Sequence, residues 1–122
     1  MSKYGYVIVK PNGSCEIKES NTAEFDLDEL YQAIGCDCIE IVRSFDGEWL
    51  MVVDDEGKLK PGARKNLVAS HFYGGDWIAG TAVFGTAHHD DPDAEPDVYK
   101  MPMQWCINLC AAIPVILRRT RE

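Results

Sequence analysis

No stretch of this chain approaches the roughly 18 consecutive apolar residues that a membrane-crossing helix needs, so no transmembrane segment is predicted. The opening Met1 to Val9 reads as a strand and carries no signal-peptide cleavage pattern, which predicts a soluble, cytoplasmic protein. Basic residues are few: 12 Lys and Arg stand against 20 Asp and Glu, for a formal charge of −8. Affinity for phosphate backbones comes mainly from Lys and Arg, so general nucleic-acid binding is not expected. The five cysteines are an odd number without disulfide-framework spacing, which fits reduced thiols. At 122 residues, 46% hydrophobic and 26% charged, the chain is long enough to bury one core as a single domain.

Catalytic signatures are missing as well. Ser14, Ser20, Ser44 and Ser70 lie in no nucleophile-elbow context, and His71 beside Ser70 makes no triad by adjacency. Gly80 to Gly85 has neither the spacing nor the Lys of a phosphate loop. No pair of carboxylates is marked out for acid–base work. The expectation is a protein that is not an enzyme and needs no cofactor.

What the chain does have is a regular alternation of strand-like runs and turns. Tyr4 to Lys10 is apolar and β-branched, Pro11-Asn12-Gly13 is a turn signal, and Ser14 to Lys18 returns antiparallel. Phe25, Leu27, Leu30, Tyr31 and Ile34 recur at helical intervals, with Asp26, Asp28 and Glu29 in the first turn and Gly35 at the stop. A helix over 26–34 follows. A second hairpin pairs 38–44 with 48–54 around Asp46-Gly47, and a short helix is expected near 63–71, ended by Gly74-Gly75-Asp76. Residues 77–86 form the longest strand candidate, apolar on both faces apart from Thr81, as a central strand would be. His88 to Asp97 carries five acids and two prolines, so 87–97 reads as an exposed acidic loop. Met103 to Ile113 reads as an apolar helix that Pro114 ends or kinks, leaving a frayed basic tail over 117–122.

Several constellations have a functional and a plainer reading. Cys36-x-Cys38 and Cys106-x-x-x-Cys110 each place two thiols on one face, and four thiolates meeting would suit zinc. Neither pair has the zinc-knuckle spacing, so buried apolar cysteine is the preferred reading and no metal is assigned. His88 and His89 beside Asp90, Asp91 and Asp93 read as a solvated loop before a metal site. Arg64, Lys65 and Asn66 offer donors to a phosphate or an acidic partner, with Tyr73 and Trp77 near enough in sequence to stack on a ligand. Their plainer reading is a polar solvent face with Asn66 bonding locally. The 103–113 helix is greasy on nearly every side, and a second copy of the chain is one plausible cover.

The ordered string Gly35-x-x-x-Ile39-Glu40-Ile-Val, Val53-Asp-Asp-Glu-Gly-Lys-Leu59, Asn66-x-x-Ala69 and Gly75-Asp76-x-Ile78-x-Gly80-Thr81 resembles family 3846 of the domains of unknown function. Members of that family often carry Gly-Gly-Tyr where this chain has Cys36-Asp37-Cys38. The resemblance covers Tyr4 to Phe84 and extends weakly to Cys110. It implies a bacteriophage, plasmid or mobile-element origin and expression in a host cytoplasm, and it implies no activity and no functional residues. Within the string, Glu40 is expected to pair across strands with Lys58 or Lys60. Gly57 is expected to supply a positive φ, and Gly80 a bulge or close backbone approach inside the strand.

These readings combine into an α+β fold, with a mixed or antiparallel sheet of about five strands and two to three helices. The functional expectation is an accessory protein that binds, and inhibits, a host or defence protein. The alternative is a sponge that sequesters a nucleotide signal through Arg64, Lys65, Asn66, Tyr73 and Trp77.

Overall fold

The computed structural model describes residues 3–45, 49–87 and 98–120. Strands β1 (Tyr4–Val9) and β2 (Cys15–Ser20) form the first hairpin; α1 (Leu27–Ile34), β3 (Ile39–Arg43) and β4 (Leu50–Asp54) follow. A 3₁₀ turn at Gly57–Leu59 leads to α2 (Leu67–Tyr73), β5 (Ala82–Gly85), the two-residue β6 (Met101–Pro102) and the long α3 (Met103–Thr120). The strand order is β2-β1-β5-β4-β3 with β6 beside β1, and every pairing is antiparallel. This is the expected α+β class, realised as an antiparallel sheet.

Strand alternation divides the core in two. Tyr6, Ile8, Leu50, Val52 and Val83 point to one face, where Leu30 of α1 and Val98 cover them. Val7, Val9, Met51, Val53, Ala82 and Phe84 point to the other, beneath Val68 and Ala69 of α2 and Cys106, Leu109, Ile113 and Ile116 of α3. A strand buried on both faces has to be apolar at every position, which explains the unbroken run Leu50–Val53. On the α3 side, aromatic edges chain Trp105 to Trp49, Trp49 to Phe72 and Phe72 to Phe84, at centroid separations of 6.1, 6.2 and 5.4 Å.

Helix α1 begins at a capping box: the Asp26 carboxylate accepts from the Asp28 amide, and Glu29 accepts from the Asp26 amide at 3.3 Å. Its C-cap is Gly35, as expected. Helix α2 starts later than the predicted 63–71. Lys65 bridges to Ala79 in extended conformation, and Asn66 is the N-cap whose side chain accepts from the Ala69 amide. The central strand is shorter than 77–86. Gly80 has φ +82, its amide donates to the Arg64 carbonyl, and its own carbonyl accepts from Asn66. The chain at 77–81 is therefore tied to the α2 approach, and pairing begins only at Ala82 with β1 and at Val83 with β4.

Other expectations are also corrected. Gly80 is needed for its left-handed backbone, since nothing lies within 4 Å of where a Cβ would stand. Gly57 shows the reverse: its φ is not positive, but a Cβ there would meet the Ala79 carbonyl at 3.0 Å. Glu40 lies opposite Val53, while Lys58 pairs with Asp76 and Lys60 with Asp54.

Pro114 does not end α3, which runs unbroken to Thr120. An internal proline costs about 3 kcal/mol through its lost hydrogen bond and ring clash. Ile116 is buried and Leu117 half-buried beyond it, so continuing the helix recovers apolar burial, and the predicted frayed tail is helical at Leu117–Thr120. The sheet and α2 cover the inner side of α3, leaving Ile107, Ala111, Pro114 and Val115 exposed, flanked by Gln104, Asn108 and Arg118. The acidic loop lies, at 88–97, outside the described residues.

Candidate docking surface

The five residues singled out for a ligand do not form one site. Arg64 is exposed beside Lys60, Gly62 and Thr81. Lys65 lines a separate depression with His71, Asp76 and Trp77. Tyr73 and Trp77 share a third, small cleft of about 150 Å³ with Glu40, Asp55, Lys58 and Leu59. There Lys58 stands 5.0 Å over the Trp77 ring and pairs with Asp76, whose carboxyl it holds below the usual range. Asn66 is fully buried; its amide donates at 2.9 Å to the carbonyls of Val9 and Gly80, and its oxygen caps α2. Its hydrogen-bonding capacity is spent inside the fold, tying α2 and the Gly80 turn to β1.

The cysteines separate likewise. The Cys36 thiol donates to the Cys38 carbonyl at 3.4 Å, near Asp54 and Lys60. On α3, burial pushes the Cys106 thiol up to about 11. Burial and a hydrogen bond with Cys15 push Cys110 up to about 12. Among the described residues no three His, Cys, Asp or Glu side chains gather as a metal site would require.

Two features escaped the sequence reading. The first is a buried polar cluster. The Lys100 ammonium, 5% exposed, reaches Glu29 at 3.1 Å and Ser20 at 2.9 Å, and lies over the rings of Tyr6 and Phe25 at 5.7 and 5.6 Å. The Tyr6 hydroxyl is pushed up to about 12, by burial first and then by the charge and hydrogen bond of Glu29. Glu29 thus joins the start of α1 to β1, β2 and the approach to β6. No signal in the sequence joins positions 6, 20, 29 and 100, because only the folded sheet makes them neighbours.

The second feature is an apolar groove of about 380 Å³ between α1 and β3, lined by Glu24, Phe25, Leu27, Leu30, Ile39, Ile41, Val98 and Tyr99. Helix α1 packs mainly over β4 and β5, and toward the sheet margin Ile39 is half-buried against the same cluster while Ile41 is exposed. Leu27 is 52% and Ile41 44% exposed, a large apolar exposure for adjoining side chains in one concavity. The sequence marks Ile39 and Ile41 as two apolar side chains on one face of the strand; only the folded structure half-buries Ile39 against the core and leaves Ile41 exposed.

A family model described as Domain of unknown function (DUF3846) matches residues 4–101, most of the chain, and the chain belongs to that family. The matched stretch contains every residue of the groove and ends before α3. No curated protein matches the chain. No solved structure matches it either. Among the described residues, no helix is long and apolar enough to cross a membrane.

Proposed function

We propose that this DUF3846 protein is an accessory protein of a phage or mobile element, working in the host cytoplasm by binding a host or defence protein and inhibiting it, without catalysis. The observation that carries this is the α1/β3 groove, where Leu27 and Ile41 present apolar surface that the chain leaves uncovered among its described residues. Exposed large apolar side chains gathered in one concavity favour a macromolecular contact. The buried polar groups have another use: Lys100, Glu29 and Tyr6 hold elements together, and Asn66 does the same on the other face.

A nucleotide held through Arg64, Lys65, Tyr73 and Trp77 has less support, since these residues face three depressions and Asn66 is enclosed. A homodimer through α3 would rest on a narrow exposed stripe of Ile107, Ala111, Pro114 and Val115, flanked by Gln104, Asn108 and Arg118.

The test is site-specific photo-crosslinking in a bacterial host, with the reactive residue at Ile41, at Leu27, or at Lys18 as a distant control. One host protein joined at both groove positions and not at Lys18 is expected. Its activity should fall when the purified chain is added, and should recover when Ile41→Glu replaces wild type. Equal labelling at all three positions, or a captured protein indifferent to the chain, would sink the proposal.

A further inference from the structure

Resting on the groove as the contact site, we propose that the partner enters it as an extended segment that adds a further strand outside β3, with apolar and basic residues alternating along it.

The hydrogen-bond phase of β3 fixes which backbone groups are on offer. The Asp55 amide donates to the Cys38 carbonyl at 3.0 Å, and the Ser44 amide donates to the Trp49 carbonyl at 2.9 Å. In an antiparallel ladder those closely bonded pairs recur every second residue, so Cys38, Glu40, Val42 and Ser44 turn their amides and carbonyls toward β4. Ile39, Ile41 and Arg43 turn theirs away from it. Among the described residues no strand lies beyond β3. A peptide laid along this margin therefore meets the outward groups of Ile39 and Ile41 at the repeat of a strand.

Side-chain alternation then sets the chemistry. Ile41 lies opposite Val52, on the face that α1 covers further in, so the entering residues on that side drop toward Ile39, Ile41 and Leu27 and must be apolar. Glu40 lies opposite Val53 on the other face and is exposed beside Asp55. The nearby cation, Lys58, is already committed to Asp76. A cross-strand neighbour of Glu40 is therefore favoured as Lys or Arg, and the net charge of −8 draws a basic segment from a distance. Apolar residues toward the groove and basic residues away from it define the partner sequence.

Blocked nine-residue peptides test this on the intact protein: one alternating valine with lysine, one with glutamate in place of lysine, and one with its β3-facing amides N-methylated. The valine–lysine peptide is expected to bind and to slow hydrogen exchange at the amides of Ile39 and Ile41. The glutamate peptide should bind roughly tenfold more weakly, and the N-methylated peptide not measurably. Ile41→Pro removes an outward donor while sparing the β4 ladder, so it should abolish binding at an unchanged melting temperature. If that variant unfolds, Glu40→Lys gives the second reading, by shifting preference toward the glutamate peptide. Binding without protection at those amides, or indifference to N-methylation, would overturn strand addition. Absence of peptide binding with persisting crosslinks at Ile41 would overturn strand addition and leave the contact function standing; absence of both would end the two together.

Discussion

The sheet has two margins, and the chain treats them oppositely. On β2 the outward side chains Glu16 and Lys18 are ion-paired at 3.0 Å, and α3 packs over Ile17 on the other face. On β3, among the described residues, α1 packs mainly further in, over β4 and β5, and Ile41 is exposed in the groove it shares with Leu27. Charged residues and a covering helix are common protections for a strand that would otherwise recruit another chain. One margin carries an ion pair and a covering helix, and the other exposes an apolar side chain. The margins also differ in their tie to the core on these faces, since Ile17 of β2 packs against the α3 layer while Ile41 of β3 is exposed.

That division makes unequal demands on mutation. The largest expected loss is at Ile113, fully inside the α3 layer that backs β1 and β2. Ile113→Ala should cost about 2–5 kcal/mol in denaturant unfolding, whereas Ile41→Ala at the open margin should cost less than about 1 kcal/mol. Equal losses would erase the contrast between the margins.

Asn66, between the two, should come next. Asn66→Ala strands the carbonyls of Val9 and Gly80 and uncaps α2, with an expected cost on the order of 2–3 kcal/mol. Asn66→Asp should not rescue it, because a carboxylate has no amide to donate. A melting temperature unchanged in both would remove Asn66 as the tie between α2 and β1.

The third prediction concerns pH. The Tyr6 hydroxyl titrates near 12 in the folded protein and near 10 when unfolded, so the unfolded chain gives up its proton first. Its contribution is complete below about pH 10 and is lost as pH climbs from about 10 toward 12. Equilibrium unfolding across that window should show a decline that Tyr6→Phe flattens. An equally steep decline in the variant would assign the alkaline effect elsewhere. The smallest effect is expected at Lys18→Ala, which breaks an exposed ion pair and should change stability by less than about 0.5 kcal/mol. Should strand-forming peptides begin to bind at β2 in that variant, its charge was guarding the margin.

Much of the fold was legible because local chemistry and tertiary environment agree. The first-turn carboxylates and Gly35 stop of α1, the hairpin turn at Pro11 to Gly13 and the β3–β4 pairing stood in the residues themselves. Where they disagree, the reading failed for a specific reason. Residues 77–81 have strand composition, yet Asn66 and the Arg64 carbonyl hold them in a turn. Pro114 carries a stop signal that burial beneath Ile113 and Ile116 overrides. The candidate ligand residues are close in sequence, but their backbone turns carry them to different depressions.

By itself the sequence determined the class of fold, the central apolar strands and the family, because periodicity and turn residues act over a few positions. The tertiary structure alone decided that Lys100 is buried against Glu29 and that Cys36 and Cys110 stay apart. It also decided that Ile41 stays exposed in the groove beside α1, because each of these depends on how far an element slides across the sheet. Periodicity specifies which face of a strand is apolar; it does not specify whether a helix arrives to cover it.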